Sequence, residues 1–409
     1  MSDMTIAATS PGADDRRIGA LSVDEMERRR SAVRAEMRDR SIDAIVVQAS
    51  NDWLGGYLRW FVGLPANNAY PRAAVVPVEG PISLVQQGPF DGVTELDGTD
   101  DSYPGVGRLL TTPSYVTAAV TAHYDSDLIV GELRRLGCRT VAVVAPTAMY
   151  HGFVDGLTAA LTSAGVTVVD ATDWVDEVKA IKSPEEQQLI RQTAELQDEV
   201  LTAVKAHIRP GMRDFEVAAF AQYQAHLAGA EQGIYLGSSA PVGHAATFLP
   251  GWQQGRTIRA GDVFTMLIET NGPGGHYTEL SRPIAMGPAP AELKDAWALA
   301  AEAQQHSLGL LRPGVSSADV HASHNEFMAA AGMSEEKRLY AHGQGHDMVE
   351  RPLIRQDETM RIAAGMSLTV HPSVKTGAAF VAVVDNYLVG ADGPGQCIHR
   401  TPKQIIEIS

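Results

Sequence analysis

Short apolar runs alternate with amphipathic stretches along the first 175 residues. Apolar positions recur at helical spacing over residues 22–42 and again over 153–164. The short apolar runs bounded by turn residues are AIVVQA (44–49), AAVVPV (73–78), ISLVQQ (82–87), TVAVVAP (140–146) and VTVVDA (166–171). Such runs are typical of buried strands, and their alternation with helices predicts an α/β domain.

The pattern changes at residues 176–183, where longer helical periods begin. Ser183, followed by Pro184 and two glutamates, is the start signal of a helix. The predicted helices cover 184–207, 213–228, 289–311 and 316–332, and the predicted strands cover 262–269, 276–286, 366–371, 379–389 and 403–408. We therefore predict a flexible arm (1–20), a smaller α/β domain (21–175) and an α+β domain (176–409).

Composition and charge exclude several partners. The net charge is −16 at pH 7, which disfavours nucleic acid and anionic membrane surfaces. The sequence contains no run of about 18 apolar residues, so we predict no membrane-spanning helix. Cys138 and Cys397 lie far apart in sequence and form no zinc or disulfide pattern, so a reducing, cytoplasmic location is expected.

Five titratable side chains fall at or beside the ends of predicted strands in the second domain. They are Glu269, Glu279, His342, His371 and Asp385. Each is of a type that binds metals or transfers protons, although any one of them alone is more often a cap or a satisfied core residue. Their order and context favour a shared site.

The motifs around these residues occur in the order of a known family. They are IKSPEEQQLIRQT, RAGDVFTMLIE, YTELSR, AHGQGHDMVERP, AGMSLTVHP and VVDNYLVGADG. Together they resemble the pita-bread family of creatinase, prolidase, aminopeptidase P and methionine aminopeptidase, across roughly residues 20–408. The resemblance implies an α+β pita-bread catalytic domain preceded by a smaller α/β creatinase-type N-terminal domain.

This chain departs from the family pattern at the positions that bind metal ions in the metallopeptidase members. In the metallopeptidase members two Asp, one His and two Glu hold a pair of divalent ions. Carried over by the resemblance, these positions are Glu269, Glu279, His342, His371 and Asp385, and only the histidine is unchanged. Because the His371 imidazole cannot bridge two ions as a carboxylate does, we expect no cofactor. The alternative is one divalent cation (Mn, Zn, Fe or Co) held by the same five residues.

The resemblance then favours a creatinase-like hydrolase that cleaves a C–N bond in a small, cationic nitrogenous substrate. His371 or His342 would move the proton, Glu279 and Glu269 would bind the cationic group, and Asp385 would orient a histidine. Two alternatives stay open. One is a metal-dependent Xaa-Pro aminopeptidase or dipeptidase with atypical ligands, and the other is a lyase resembling the family's dimethylsulfoniopropionate lyase.

Further residues are candidates for binding a small-molecule substrate. They are Tyr277, Arg282, His244, His346 and Glu350 in the second domain, and Trp60 and Arg72 in the first. For Arg282 the alternative is a structural ion pair. For the aromatic stretch 51–72 the resemblance implies a homodimer in which this loop reaches the partner's active site, and the alternative is an aromatic plug at an interface.

Overall fold

The computed structural model describes residues 19, 21–51, 53, 56–66, 70–100 and 102–408. The predicted flexible arm lies outside the described residues, apart from Gly19. The chain divides into two compact units, Met1–Lys179 and Ala180–Ser409. No described helix has both the length and the apolar character needed to cross a membrane.

The first unit is built on a mixed seven-stranded sheet in the order β4-β5-β3-β2-β1-β6-β7. Its strands are β1 (Ala44–Ala49), β2 (Arg72–Pro77), β3 (Ile82–Gln87), β4 (Gly92–Glu95), β5 (Val106–Thr112), β6 (Thr140–Val143) and β7 (Thr167–Asp170). Its helices are α1 (Val23–Asp39), α2 (Gly56–Val62), α3 (Tyr124–Arg135), α4 (His151–Ser163) and α5 (Thr172–Ala180), with 3₁₀ turns at Ala119–Thr121 and Pro146–Ala148. Central β1 is buried along its whole length, with β2 antiparallel on one side and β6 parallel on the other.

The second unit contains two larger sheets, a two-stranded ribbon and four long helices. The helices are α6 (Pro184–His207), α7 (Asp214–Leu227), α8 (Ala291–Leu308) and α9 (Ser317–Ala330), with a 3₁₀ turn at Gly251–Gln253. The four-stranded sheet, in the order β18-β10-β9-β8, consists of β8 (Gly233–Ala240), β9 (Val263–Asn271), β10 (Tyr277–Ala285) and β18 (Ile406–Glu407). The five-stranded sheet, in the order β12-β11-β13-β16-β17, consists of β11 (Ala341–Gly343), β12 (Glu350–Leu353), β13 (Ser367–Val370), β16 (Asp385–Val389) and β17 (Pro394–Cys397). A separate ribbon pairs β14 (Ser373–Lys375) with β15 (Phe380–Ala382).

The start of α6 follows the predicted signal. The Ser183 hydroxyl accepts a hydrogen bond from the Glu186 backbone N–H at 3.2 Å, and the Glu186 carboxylate accepts one from the Ser183 N–H at 2.8 Å. This reciprocal capping box satisfies two backbone N–H groups that a helix start otherwise leaves unpaired. Helix α6 runs along β10 and β9 and covers one face of that sheet.

The predicted strand at 379–389 is two strands, β15 and β16, rather than one. The Val383 N–H donates to the Pro372 carbonyl, and Val384 forms a single antiparallel bridge with Ser281 of β10. The chain therefore changes partners between the two strands, and this bridge links the two larger sheets. Apolar periodicity could not show the change, because the chain is apolar without interruption from Phe380 to Val384, where the partner changes.

Strands β4 and β8 carry little of the pattern used to predict strands. β4 is mostly exposed and reads GVTE, whereas β8 reads GIYLGSSA and is rich in small residues. Both pair along their length with neighbouring strands, so sheet hydrogen bonds hold them despite weak intrinsic propensity.

Candidate active site

Two glutamates face each other across the hairpin of β9 and β10. Glu269 and Glu279 are directly opposite in the antiparallel register, and both are buried. The Gln344 side-chain amide donates to Glu269 Oε1 at 2.9 Å, and the Thr369 hydroxyl donates to Glu279 Oε2 at 3.1 Å. Directly opposite residues of a sheet share a face, so the two carboxyl groups line the same side.

Two histidines from the second sheet approach these acids. His342 lies on β11 and His371 follows β13 directly, and their ring centroids are 5.2 Å apart. His342 Nδ1 lies 2.9 Å from the Gly343 carbonyl oxygen. Because a carbonyl oxygen can only accept, Nδ1 carries the proton and Nε2 keeps a lone pair for a ligand.

The pKa values of the four side chains shift in the direction that burial dictates. Burial lowers the pKa of His342 to about 4 and that of His371 to about 4, so both rings are neutral at pH 7. Burial also raises the pKa of both carboxyl groups, and the Glu279 charge raises that of Glu269 further. Neutral imidazoles and carboxylates that are buried together are a donor set that a cation stabilises.

Three of these side chains form a group of metal-ligand dimensions. One donor atom each from Glu279, His342 and His371 lies within 4.8 Å of the other two. Within the described part of the chain this is the one group of three or more such donors with that spacing. Two imidazole nitrogens and a carboxylate oxygen suit a single divalent transition metal. Three protein ligands would leave coordination positions for water or substrate.

Asp385, the fifth predicted residue, does not join this group. Its Oδ1 accepts a hydrogen bond from Arg282 at 2.6 Å, and Lys403 Nζ lies 3.4 Å from its Oδ2. Burial alone would raise the pKa of Asp385, but the charges of Arg282 and Lys403 hold it below its usual value. Arg282 thus takes the structural role that was the alternative for it, and Asp385 has no free charge with which to orient a histidine.

Val384, and not Asp385, lies on the side of the β9–β10 hairpin that carries Glu269 and Glu279. Val384 is bridged to Ser281, which lies two residues from Glu279 and so points to the same side of β10. Val384 also packs with Leu267, which lies two residues from Glu269 on β9. An apolar side chain therefore lies where the second sheet meets the hairpin that carries the two glutamates.

A chain of amides supports the site and was not singled out from the sequence. Asn386 accepts from the Glu279 backbone N–H at 2.7 Å, and its amide donates to Gln344 Oε1 at 2.6 Å. Gln344 in turn binds Glu269, and His399 Nε2 lies 3.2 Å from Asn386 Oδ1. The available signals were positional: Gln344 lies in the AHGQGH turn and Asn386 adjoins Asp385.

The remaining predicted binding residues occupy varied positions in the second unit. Tyr277 is buried and its backbone N–H donates to Gly345. The ring of His346 lies 4.1 Å from that of His276, and Glu350 accepts from Lys182 at 2.7 Å in a buried ion pair. His244 is exposed on the loop after β8.

The two predicted binding residues of the first unit have partners of their own. Trp60 is 1% exposed in that unit's core, with the Arg29 guanidinium 5.5 Å from its ring centroid. Arg72 donates to the Pro65 carbonyl at 2.6 Å. These contacts account for Trp60 as a core residue and for Arg72 as a loop anchor.

Comparisons with known proteins agree on one family. The profile of metallopeptidase family M24 matches residues 188–391. The Xaa-Pro dipeptidase of Pyrococcus furiosus is 25% identical over 239 residues, 57% of this chain and 67% of that protein. A probable dipeptidase of Mycobacterium tuberculosis, PepE, is 24% identical over 250 residues, 60% of this chain and 65% of that protein.

Solved structures confirm the predicted fold class. The crystal structure of an X-Pro aminopeptidase from Thermotoga maritima superposes with a TM-score of 0.76 at 16% identity, covering 93% of this chain and 99% of that one. The pita-bread domain and the α/β domain before it are thus both present.

The expectation that no cofactor is needed is wrong. The matching family is one of metallopeptidases, and three donors converge as a metal site requires. The error came from treating His371 as a lost ligand. A neutral imidazole is itself a good ligand for one transition metal, although it cannot bridge two.

Proposed function

The chain belongs to metallopeptidase family M24, the pita-bread family that its motifs resemble, and from that premise we propose that it is a metal-dependent dipeptidase or aminopeptidase. It is a hydrolase of this family. The peptidase relatives support the Xaa-Pro alternative over the creatinase-like substrate. The substrate we propose is a small Xaa-Pro or similarly short peptide.

The observation that carries this proposal is the convergence of Glu279, His342 and His371. These three would hold one divalent cation, Mn, Zn, Fe or Co. When bound, such an ion polarises a carbonyl group and makes water more acidic. The Val384 side chain and the Arg282–Asp385 ion pair argue against a second ion, because neither leaves a free carboxylate on the second sheet.

Glu269 is the group that we assign to proton transfer. It faces Glu279 but lies outside the three-donor group, and its carboxyl is oriented by the Gln344 amide. A carboxyl in this position can take a proton from water and return it to the departing nitrogen. Gln344 and Asn386 hold its direction without exchanging protons themselves.

The test is metal content followed by turnover. Protein purified without a metal-affinity tag should contain about one equivalent of a transition metal by elemental analysis. Chelation should abolish hydrolysis of Xaa-Pro dipeptides, and one equivalent of Mn²⁺ or Co²⁺ should restore it. Full activity after complete metal removal, or turnover of creatine but of no dipeptide, would refute the proposal.

Two further parts of the proposal concern the oligomeric state and the cellular location of the enzyme. We propose that it acts as a homodimer, as the family resemblance implies, and sedimentation velocity would test this. We also propose a cytoplasmic location, which is supported by two cysteines that form no disulfide.

A further inference from the structure

A buried histidine outside the three-donor group contacts the chain of amides that reaches Glu269. The His399 side chain is 0% exposed, and its Nε2 lies 3.2 Å from Asn386 Oδ1. The side-chain amides of Asn386 and Gln344 connect this ring to the Glu269 carboxyl group. His399 therefore stands at the far end of the contacts that orient the proton-transfer group.

One backbone N–H fixes the direction of every hydrogen bond in this chain of amides. The Glu279 N–H lies 2.7 Å from the side chain of Asn386, and because an N–H only donates, the Asn386 atom that it meets is the oxygen. The NH₂ group of Asn386 then donates to Gln344 Oε1, and Gln344 Nε2 donates to Glu269. Asn386 Oδ1 has a second lone pair, and His399 Nε2 is its partner. His399 Nε2 thus carries a proton.

The other ring nitrogen of His399 lies beside a carboxylate. His399 Nδ1 is 3.6 Å from Asp198 Oδ1 on α6, an ion-pair distance, and the Asp198 side chain is 11% exposed. Burial alone would raise the pKa of Asp198, but the His399 ring and the hydrogen bonds from Thr401 and Arg400 hold it below its usual value. An Nδ1 without a proton would turn its lone pair toward this anion. Protonation of Nδ1 is therefore favoured, and the ring is an imidazolium.

The backbone holds the ring between β16 and α6. Before the ring, the Ile398 N–H donates to the Asn386 carbonyl at 3.0 Å. After it, the N–H groups of Arg400 and Thr401 donate to the Asp198 carboxylate at 2.6 and 3.0 Å. The segment is thus anchored on both sides of His399, and this fixes the position of the ring.

A charged second donor restrains the Asn386 amide more than the Glu279 N–H does alone. Two donors from different parts of the chain fix the plane of the amide at its oxygen. A hydrogen bond from a charged donor is about twice as strong as a neutral one, and it polarises the amide so that its NH₂ donates more strongly to Gln344. Both effects pass along the amides to Glu269.

We propose that His399, held as an imidazolium by Asp198, is a positioning residue that fixes the Asn386 and Gln344 amides and through them the direction of the Glu269 carboxyl group. This assignment rests on the proposed function, because it concerns the group to which proton transfer is assigned. Two amides separate the ring from Glu269. Loss of the ring should therefore reduce kcat and leave the binding of substrate and cation unchanged.

The first experiment measures turnover of an Xaa-Pro dipeptide by the metal-loaded enzyme. His399→Leu removes both ring N–H groups, and kcat should fall about 10- to 100-fold while KM and cation content stay at the wild-type level. His399→Gln keeps an N–H donor and should recover part of the loss. His151→Gln, at an exposed position of α4, should keep the wild-type kcat. Wild-type kcat in His399→Leu, or a His399→Gln protein as impaired as His399→Leu, overturns the assignment.

NMR spectroscopy of the full chain separates this assignment from the reaction itself. In wild type at pH 7 both ring nitrogens of His399 should carry protons, in a signal identified by its absence from His399→Gln. The side-chain NH₂ resonances of Asn386 and Gln344 should shift in His399→Leu and stay in place in His151→Gln. If no peptide is hydrolysed but these results are found, the proposed reaction fails and the positioning of the amides by His399 stands. A singly protonated ring in wild type, or amide resonances that His399→Leu leaves unchanged, overturns it.

Discussion

Glu269 and Glu279 are the same residue type in matching positions of paired strands, yet their surroundings divide their chemistry. Glu279 meets His342 and His371, whereas Glu269 meets the amide of Gln344. The partners come from the second sheet, so neighbours distant in sequence decide which carboxylate binds a cation and which one is left to move a proton.

Replacing Glu269 by Gln tests this division. The Glu269→Gln side chain keeps an oxygen to accept from Gln344 but cannot transfer a proton, so kcat should fall about 10²- to 10⁴-fold. The cation content should stay at the wild-type level, since Glu269 is outside the three-donor group. Glu292→Gln, at an exposed position of α8, is the matched control. Wild-type kcat in Glu269→Gln would remove Glu269 from the mechanism.

At the level of elements, the two sheets of the second unit are joined where β10 meets β16. The Ser281–Val384 bridge and the fully buried Arg282–Asp385 ion pair lie side by side at this junction. Arg282 also donates to the carbonyls of Val384 and Pro402. The junction therefore sets where His371 and Glu279, one from each sheet, stand relative to each other.

The substitution Asp385→Asn should destabilise this junction strongly. It leaves the Arg282 charge buried without a counter-charge, and loss of one partner of a buried pair costs about 3–5 kcal/mol. The free energy of unfolding from urea titration at pH 7 is the measurement. Asp357→Asn breaks the exposed pair with Arg355 and should have no measurable effect. A loss in Asp385→Asn as small as in this control would contradict the structural role assigned to Asp385.

For the whole molecule, buried imidazoles make the fold sensitive to acid. Burial is the main cause that lowers the pKa of His324, His342 and His371, each to about 4. The ordinary value is 6.5, so the unfolded chain binds these protons at a higher pH than the folded one does. The stability that these three neutral histidines contribute is therefore complete above pH 6.5 and is lost as the pH drops from there to about 4.

His324 allows this sensitivity to be tested away from the metal group. Its ring stacks on Tyr340 with centroids 3.6 Å apart, and His324→Phe keeps an aromatic ring there. Between pH 7 and pH 4.5 the variant should lose about 1–3 kcal/mol less unfolding free energy than wild type. His151→Phe, at an exposed position of α4, should follow the wild-type slope. Identical slopes for His324→Phe and wild type would show that this ring does not contribute.

Local patterns predicted much of the fold and four members of the site. Capping signals and apolar periodicity located α6 to α9 within a few residues, because these features are encoded over one or two turns. The ordered motifs placed Glu269, Glu279, His342 and His371 beside strand ends and indicated the family. Strands with weak patterns, such as β4 and β8, could not be found in this way.

Pairing between distant segments settled the rest. Asp385 and Val384 are adjacent in sequence, but alternation along an extended chain sends one to Arg282 and the other toward the glutamates. Which of the two faces the site depends on how β16 meets β10, about 100 residues earlier in the chain. Residue types and their order are local properties of the chain, whereas charge pairing and the direction of side chains depend on contacts that form only when the sheets assemble.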